Sequence, residues 1–253
     1  MDNTREAHTE AAAHGILTQN TLIHQAGNLL DTMLDYQSLM LGYSCAMKQL
    51  RTKLEILNTE FEVQYQRNPI SSIHTRLKSQ PSVMEKMSRK GIPITAENIE
   101  ANLNDIAGIR VVCCYVDDIY RIAEMLTAQA DVDLIEQKDY IANPKPNGYR
   151  SLHLIVSVPV YFADSVKQVR AEVQIRTIAM DFWASLEHQI KYKKSVQNAE
   201  QILAQLKACA DVISDTDLEM QRIRQKMDET RAEPSEAETV FEKLKRVGVP
   251  LGE

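Results

Sequence analysis

The chain is poor in several things that a sequence of 253 residues often has. Aromatics make up only 6% of it, with one Trp and four Phe, and basic residues are not in excess: 29 Lys and Arg face 35 Asp and Glu, a formal net charge of −6. An acidic chain does not suit a general nucleic-acid coat, which needs a broad basic face, although a local basic pocket for a small polyphosphate stays compatible. The four cysteines (Cys45, Cys113, Cys114 and Cys209) show neither CxxC nor Cys/His ligand spacing. Cys113 and Cys114 sit inside an apolar run and read as buried thiols in a reducing compartment. No apolar stretch approaches the ~20 residues of a membrane span, and residues 1–15 are acidic and polar, unlike a signal peptide. These absences point to a soluble cytoplasmic protein, long enough for one large domain or a domain with helical additions.

What is present centres on residues 138–158, KDYIANPKPNGYRSLHLIVSV. Pro144, Pro146 and Gly148 break both helix and strand ladders in its first half, and each proline pushes the preceding residue out of the α region. The second half, residues 152–158, is apolar and β-branched, which suits a buried strand. A stiff loop carrying Lys138, Lys145, Asn147, Tyr149 and Arg150 therefore feeds a strand. Cations and amides serve phosphates, and an exposed ring serves a base. Downstream, residues 169–176 alternate strictly: Val169, Ala171, Val173 and Ile175 on one face, Arg170, Glu172, Gln174 and Arg176 on the other. A sheet with one wet face would give the same pattern; the loop upstream favours a site.

In chain order, residues 1–20 read as a flexible, Ala-rich lead. Over 21–67 a 3–4 spacing from Leu22 to Phe61 predicts one long helix, or two meeting near Gly42. Residues 68–195 alternate strands and helices: an extended piece before Pro81, a short helix from Ser79 carrying Ser82, Lys86 and Arg89, and a helix capped by Thr95. A strand from Ile109 follows an Ala107-Gly108 turn, then a helix begins at Asp117-Asp118. Asp105, at the root of the Ile109 strand, reads as a turn cap or as a metal ligand, and both stay open. After the alternating strand, Ile178, Phe182, Leu186 and Ile190 form the stripe of a helix with Trp183 beside it, and His188 reads as surface or capping. Residues 196–253 form a second helical arm and tail, the helix ending at Pro234 and a Ser235-x-x-Glu238 capping box opening a short terminal helix. The order predicts an α/β (α+β) fold with a mixed β-sheet between long terminal helices whose spare stripes suit oligomerisation.

Five motifs in one order carry a resemblance: Arg76-Leu77-Lys78 with Ser82 and Lys86; Asp105-Ile106-Ala107-Gly108-Ile109-Arg110; Lys138-Asp139-Tyr140; Asn143-Pro144-Lys145-x-Asn147-Gly148-Tyr149-Arg150-Ser151-x-His153; and Glu172-Val173-Gln174-Ile175-Arg176-Thr177. Over roughly residues 45–195 the chain resembles the synthetase domain of RelA/SpoT-type alarmone synthetases, most of all the small stand-alone ones. No His-Asp dipeptide of the long relatives' hydrolase domain occurs, so no hydrolase domain is expected.

The resemblance implies a nucleotidyltransferase-like synthetase core and a stringent-response activity: Mg²⁺-dependent transfer of the β,γ-pyrophosphate of ATP to the 3′-hydroxyl of GDP or GTP. By resemblance, Asp105 and Glu172 hold Mg²⁺, and Glu172 also orients or deprotonates the attacking hydroxyl. Arg76 and Arg110 clasp the adenine, and Lys78, Ser82, Lys86 and Lys138 complete the ATP site. Tyr149 stacks on guanine, Lys145, His153, Gln174 and Arg176 serve the acceptor nucleotide, and Asn147 shapes the loop.

Some relatives are homotetramers with an allosteric alarmone site just upstream of the first arginine. Residues 71–74 here lack the Phe or Tyr of that site, and Thr75 replaces the family's usual Gly. Glu136-Gln137 matches neither charge variant of the long enzymes, so GDP-versus-GTP preference stays open, as does modulation by RNA. Two alternatives remain: another Mg²⁺ nucleotidyltransferase, drawing on Asp117-Asp118, and a non-catalytic RNA-binding adaptor using Tyr149 and the basic loop.

Overall fold

A computed structural model describes the backbone of residues 3–192 and 199–230. Five strands make one mixed sheet in the order β1-β2-β5-β4-β3: β1 (Ile70–Leu77), β2 (Ala107–Cys113), β3 (Asp133–Asp139), β4 (Leu152–Tyr161) and β5 (Val166–Thr177). Only β2 and β5 run parallel; the other neighbours are antiparallel. Among the described residues six helices surround it: α1 (Asn3–Tyr65), α2 (Gln80–Lys90), α3 (Ala96–Asn102), α4 (Val116–Thr127), α5 (Ile178–Tyr192) and α6 (Ala199–Thr230). This is the mixed-sheet α+β architecture expected.

The period-two alternation sets the core. Ala171, Val173 and Ile175 of β5, Leu152, Leu154 and Val156 of β4, and Ile109 and Val111 of β2 are all at most 1% exposed. They join Leu50 and Leu54 of α1, Ile99 of α3 and Ile119, Ile122 and Leu126 of α4 in one apolar cluster. Thr95 caps α3 by accepting a hydrogen bond from the Asn98 backbone N–H at 3.2 Å. Pro81 occupies the first turn of α2, where its missing N–H costs nothing, and Gly91 ends the helix in the left-handed region at φ 68°. At the far edge, Arg67 forks onto Asp118 at 2.6 and 2.8 Å and lies 4.8 Å from the Phe61 ring centroid. Asp118 is 1% exposed, so this ion pair fastens the end of α1 to the start of α4.

Several boundaries differ from the expectation. The segment expected as a flexible lead is helical from Asn3, since alanines at 7, 11, 12 and 13 favour the helix and no proline stands before Pro69. The same helix passes Gly42 unbroken, roughly 95 Å in all. Ala107 and Gly108 are strand residues paired with Leu77 and Arg76, not a turn. Lys138 and Asp139 belong to β3, so the irregular loop is shorter than residues 138–151. The stripe expected to bury α5 faces solvent, with Ile178 and Phe182 at 54% and 60% exposure, while Met180, Trp183, Ala184 and Glu187 turn inward. Both faces of α5 carry large apolar side chains, and sequence periodicity cannot choose between them. In α6, Ala210 and Asp217 are buried, whereas Met220, Ile223 and Met227 of the expected stripe are exposed. The expected helix start at Val196, its stop at Pro234 and the Ser235/Glu238 capping box lie outside the described residues.

Asp217 accepts the Thr177 hydroxyl at 2.5 Å, and Thr177 Oγ1 in turn accepts the Met180 backbone N–H, so α6 pins the β5–α5 junction. Burial raises the Asp217 carboxyl above its ordinary value, against the pull of the Thr177 hydroxyl and the Arg150 charge. A raised carboxyl favours folding below its unfolded value of about 3.9, and that contribution is lost as pH rises through the folded value. Asp217→Asn keeps an acceptor for Thr177 and removes the buried charge. Urea unfolding between about pH 4 and 7 should show stability at neutral pH equal to or above wild type and a flatter pH dependence; a loss at neutral pH would mean that the charge itself holds the junction.

Candidate active site

The register lines up functional side chains in rows across the sheet. His74, Arg110, Gln174, His153 and Lys138 stand opposite one another on β1, β2, β5, β4 and β3. One step along, Arg76, Gly108, Glu172 and Ile155 form the next row. Directly paired residues share a face, and so do residues two apart, so both rows face the same way. Gly108 leaves the floor between Arg76 and Glu172 bare; a Cβ there would stand 3.3 Å from the Arg76 carbonyl oxygen. A cavity of about 550 Å³ opens over this floor, lined by Arg76, Lys78, Ser82, Asp105, Arg110, Glu172 and Gln174 among others. Residues from β1, α2, the approach to β2, and β5 thus converge on one space.

Asp105 is neither a turn cap nor solvent-exposed. Its Oδ2 accepts Lys78 Nζ at 2.8 Å and Lys86 Nζ at 2.7 Å, while its buried Oδ1 has no hydrogen-bond partner. Burial pushes this carboxyl up, but the two ammonium groups outweigh burial and hold it below the ordinary range. A buried carboxylate oxygen with a free lone pair beside a second carboxylate is a donor set that suits a hard divalent cation. Among the described residues no group of three His, Cys, Asp or Glu converges; a cation on this pair would draw its remaining ligands from phosphate oxygens and water.

Glu172 belongs to a closed ring of hydrogen bonds. Its Oε1 meets His153 Nδ1 at 3.1 Å; His153 Nε2 meets the Tyr149 hydroxyl at 2.8 Å; that hydroxyl accepts Arg176 Nη2 at 2.7 Å. Arg176 Nη2 also donates to Gln174 Oε1 at 2.7 Å, and Gln174 Nε2 returns to Glu172 Oε2 at 2.9 Å. Burial raises the Glu172 carboxyl and Asp105 adds to that, yet the hydrogen bonds from His153 and Gln174 and the electrostatic pull of His153 win and hold it below the usual range. Glu172 is therefore ionised at neutral pH and faces both the cavity and the Tyr149 side.

Tyr149 is half-buried rather than an exposed platform, because the residues around it form a cage. Tyr140 and His153 meet its ring edge-on at 6.0 and 5.8 Å between centroids, and Lys145 Nζ stands 4.7 Å from its centroid and 4.4 Å from that of Tyr140. Burial raises the Tyr149 phenol, partly offset by Arg176. Local turns fold the loop: Gly148 N–H bonds Lys145 O at 2.8 Å, and Asp139 Oδ1 accepts the Ile141 and Ala142 N–H groups.

Three residues expected at the site have partners outside the cavity. Lys138 shares the His153 row but is exposed and pairs with Glu136 at 3.0 Å. Asn147 donates to Glu187 of α5 and accepts the Tyr149 N–H, in keeping with a loop-shaping part. Arg150, grouped with the nucleotide cations from sequence, turns away to α6 instead. Sequence reasoning missed Asp181, which pairs with both Arg110 and Arg176 at 3.3 and 3.2 Å. Its place in the first turn after a strand of known polarity was the one available signal. It also gave no part to Tyr140.

Ionised carboxylates, lysines and arginines around a polyphosphate-sized cavity on one face of a mixed sheet define a phosphate-handling α+β protein. The family described as a region found in RelA / SpoT proteins matches residues 75–197. The chain is 41% identical over 201 residues to the GTP pyrophosphokinase YwaC of Bacillus subtilis (79% of this chain, 96% of that protein). It is 37% identical over 211 residues to the GTP pyrophosphokinase YjbM of the same organism (83% and 95%). The crystal structure of the B. subtilis small alarmone synthetase 1 bound to its product pppGpp superposes with a TM-score of 0.69 at 39% identity, covering 76% of this chain and 97% of that one. The chain belongs to the RelA/SpoT family and is similar to its small alarmone synthetases.

Asp105→Asn leaves Lys78 and Lys86 facing each other without their shared counter-charge. Denaturant unfolding should lose about 1–3 kcal/mol at low ionic strength, with the deficit widening further as salt is removed and closing as it is added. A deficit indifferent to salt would point to packing instead.

Proposed function

We propose that this chain is a GTP/GDP pyrophosphokinase that transfers the β,γ-pyrophosphoryl group of ATP to the 3′-hydroxyl of GDP or GTP, yielding (p)ppGpp and AMP. One observation carries the reading: Glu172 lines the cavity of Arg76, Lys78, Asp105 and Arg110 and is bonded through His153 to Tyr149. A donor and an acceptor nucleotide placed on these two sides would meet at its carboxylate.

Arg76 and Arg110 offer two guanidinium planes for adenine, a contact lysine reproduces poorly. Lys78 and Lys86 are released from Asp105 to the ATP phosphates, with Ser82 beside them and Lys138 at the edge. On the other side Tyr149 takes the guanine once Lys145 leaves its ring for an acceptor phosphate, and His153, Gln174 and Arg176 frame the nucleotide. The 3′-oxygen attacks the β-phosphorus, the bond from that phosphorus to the bridging α–β oxygen breaks, and AMP departs with that oxygen. Glu172, ionised, accepts the hydrogen bond of the 3′-hydroxyl and receives its proton as the new bond forms. A loose phosphoryl-transfer transition state asks mainly for alignment and charge neutralisation, which suits a low carboxyl pKa. Asp105 and Glu172 would hold Mg²⁺, which when bound neutralises phosphate charge.

The alternatives have less support. Asp117 and Asp118 are engaged by Arg224 and Arg67 at the start of α4 and are not among the residues lining the cavity. An RNA adaptor would need several stacking rings along a basic groove, and this chain carries a net charge of −6. Incubation with labelled ATP, GDP or GTP and Mg²⁺ should give a guanosine tetra- or pentaphosphate and AMP, and chelation should stop it. Release of pyrophosphate would indicate nucleotidyl transfer. Glu172→Gln should lower turnover by at least about a thousandfold while ATP binding changes little; turnover near wild type would remove Glu172 from the chemistry.

Exposed apolar stripes support a homo-oligomer, and the resemblance to the small synthetases makes it a tetramer. Leu30, Met33 and Leu34 of α1 and Ile178, Phe182 and Leu186 of α5 are large apolar side chains left in solvent by the single chain. Light scattering should give four times the chain mass, and Phe182→Ser should shift it towards smaller species; a monomer in both cases would sink the assembly. No helix among the described residues is long and apolar enough to cross a membrane.

A further inference from the structure

We propose that α6, which begins beyond the last residue of the family match, is a working part of the acceptor-nucleotide site: it sets the position of the loop that carries Tyr149. The identity of the acceptor rests on the pyrophosphokinase reading above; the mechanical argument does not.

Four consecutive loop residues lean on the α5–α6 pair. Asn147 Nδ2 donates to Glu187 Oε1 of α5 at 2.9 Å, and Glu187 is buried. Gly148, at φ 90°, touches α6 so closely that a Cβ would stand 2.5 Å from Ala210 Cβ and 3.4 Å from Lys207 Cα. No other residue type combines that backbone angle with that approach. Tyr149 packs against the small cluster of Trp183, Ala184 and Ala210, together with Leu206 and Ile213. Arg150 reaches the Ala210 carbonyl with Nη1 at 3.0 Å and Asp211 Oδ1 with Nη2 at 3.4 Å. Trp183 Nε1 donates to Leu206 O at 2.8 Å and seats α6 on α5.

The same helix holds the other half of the acceptor side. Asp217, two turns along α6 from Ala210, bonds Thr177, the residue after Arg176 on β5. One rigid element therefore spaces the Tyr149 loop from the strand bearing Gln174 and Arg176. A ring that must stack and a hydroxyl that must line up in attack lose effectiveness with displacements of about 1 Å. Arg150 makes its contact at two points with one planar fork, which an ammonium on a flexible stem does not reproduce. Arg150, Ala210 and Asp211 are thus positioning residues, acting through Tyr149.

The test uses Arg150→Ala, Arg150→Lys, Ala210→Leu and the surface change Asp211→Ala, each checked for folding by circular dichroism and thermal melting. Initial rates are measured with GTP and ATP varied separately, and GTP binding by calorimetry. Arg150→Ala and Ala210→Leu should raise the KM and Kd for GTP about tenfold or more, with the KM for ATP within about twofold. Arg150→Lys and Asp211→Ala should fall between these and wild type. Unchanged GTP constants in Arg150→Ala and in a folded Ala210→Leu or Asp211→Ala would overturn the proposal. So would parallel loss for ATP and GTP in step with melting temperature, which marks general destabilisation. If the wild type binds GTP but makes no product, the pyrophosphokinase reading fails, and the calorimetric comparison still decides the role of α6. If the wild type binds no GTP, both fail.

Discussion

Two carboxylates share one partly buried cavity, and the site depends on how each is kept charged. Asp105 raises the pKa of Glu172, and burial raises both carboxyls. Left alone, one of such a pair takes up a proton. Here each has its own partners. Lys78 and Lys86 neutralise Asp105, while His153 and Gln174 hold Glu172. The partners come from different elements, so removing one group does not strip both acids. The cost is a set of cations already engaged, which anionic ligands must draw away.

That trade recurs on the acceptor side. Lys145 lies between the rings of Tyr140 and Tyr149, and Arg176 is shared among Tyr149, Gln174 and Asp181. A cavity crowded with uncompensated positive charge would be unstable when empty. Pairing each cation with a carboxylate, a phenol or a ring face stabilises the empty site and keeps the side chains near where phosphates would need them. Salt bridges in this region therefore matter less for fold stability than for pre-arrangement.

Much of this was legible from local pattern. The strict alternation from Val169 to Arg176 forced Glu172, Gln174 and Arg176 onto one face, because a strand has period two whatever it packs against. The Pro144, Pro146 and Gly148 spacing announced a stiff loop for the same kind of local reason. The α5 stripe was misplaced because Ile178, Phe182, Leu186 and Ile190 satisfy helical periodicity as well as the Trp183 and Ala184 face does, and packing against α6 and the sheet core selects between them. Arg150 was grouped with its loop neighbours by adjacency. Its direction depends on a helix some sixty residues away.

The sequence alone determined the order of elements, the polar face of β5, the loop and the identity of the acids and bases, because dihedral preference and side-chain chemistry are properties of short segments. Only the tertiary structure decided that Asp105 sits on two lysines, that Glu172 closes a hydrogen-bonded ring with Tyr149, and that α6 abuts Gly148. Those contacts join positions far apart in the chain, and their geometry is set by strand register and helix packing, which no local window contains.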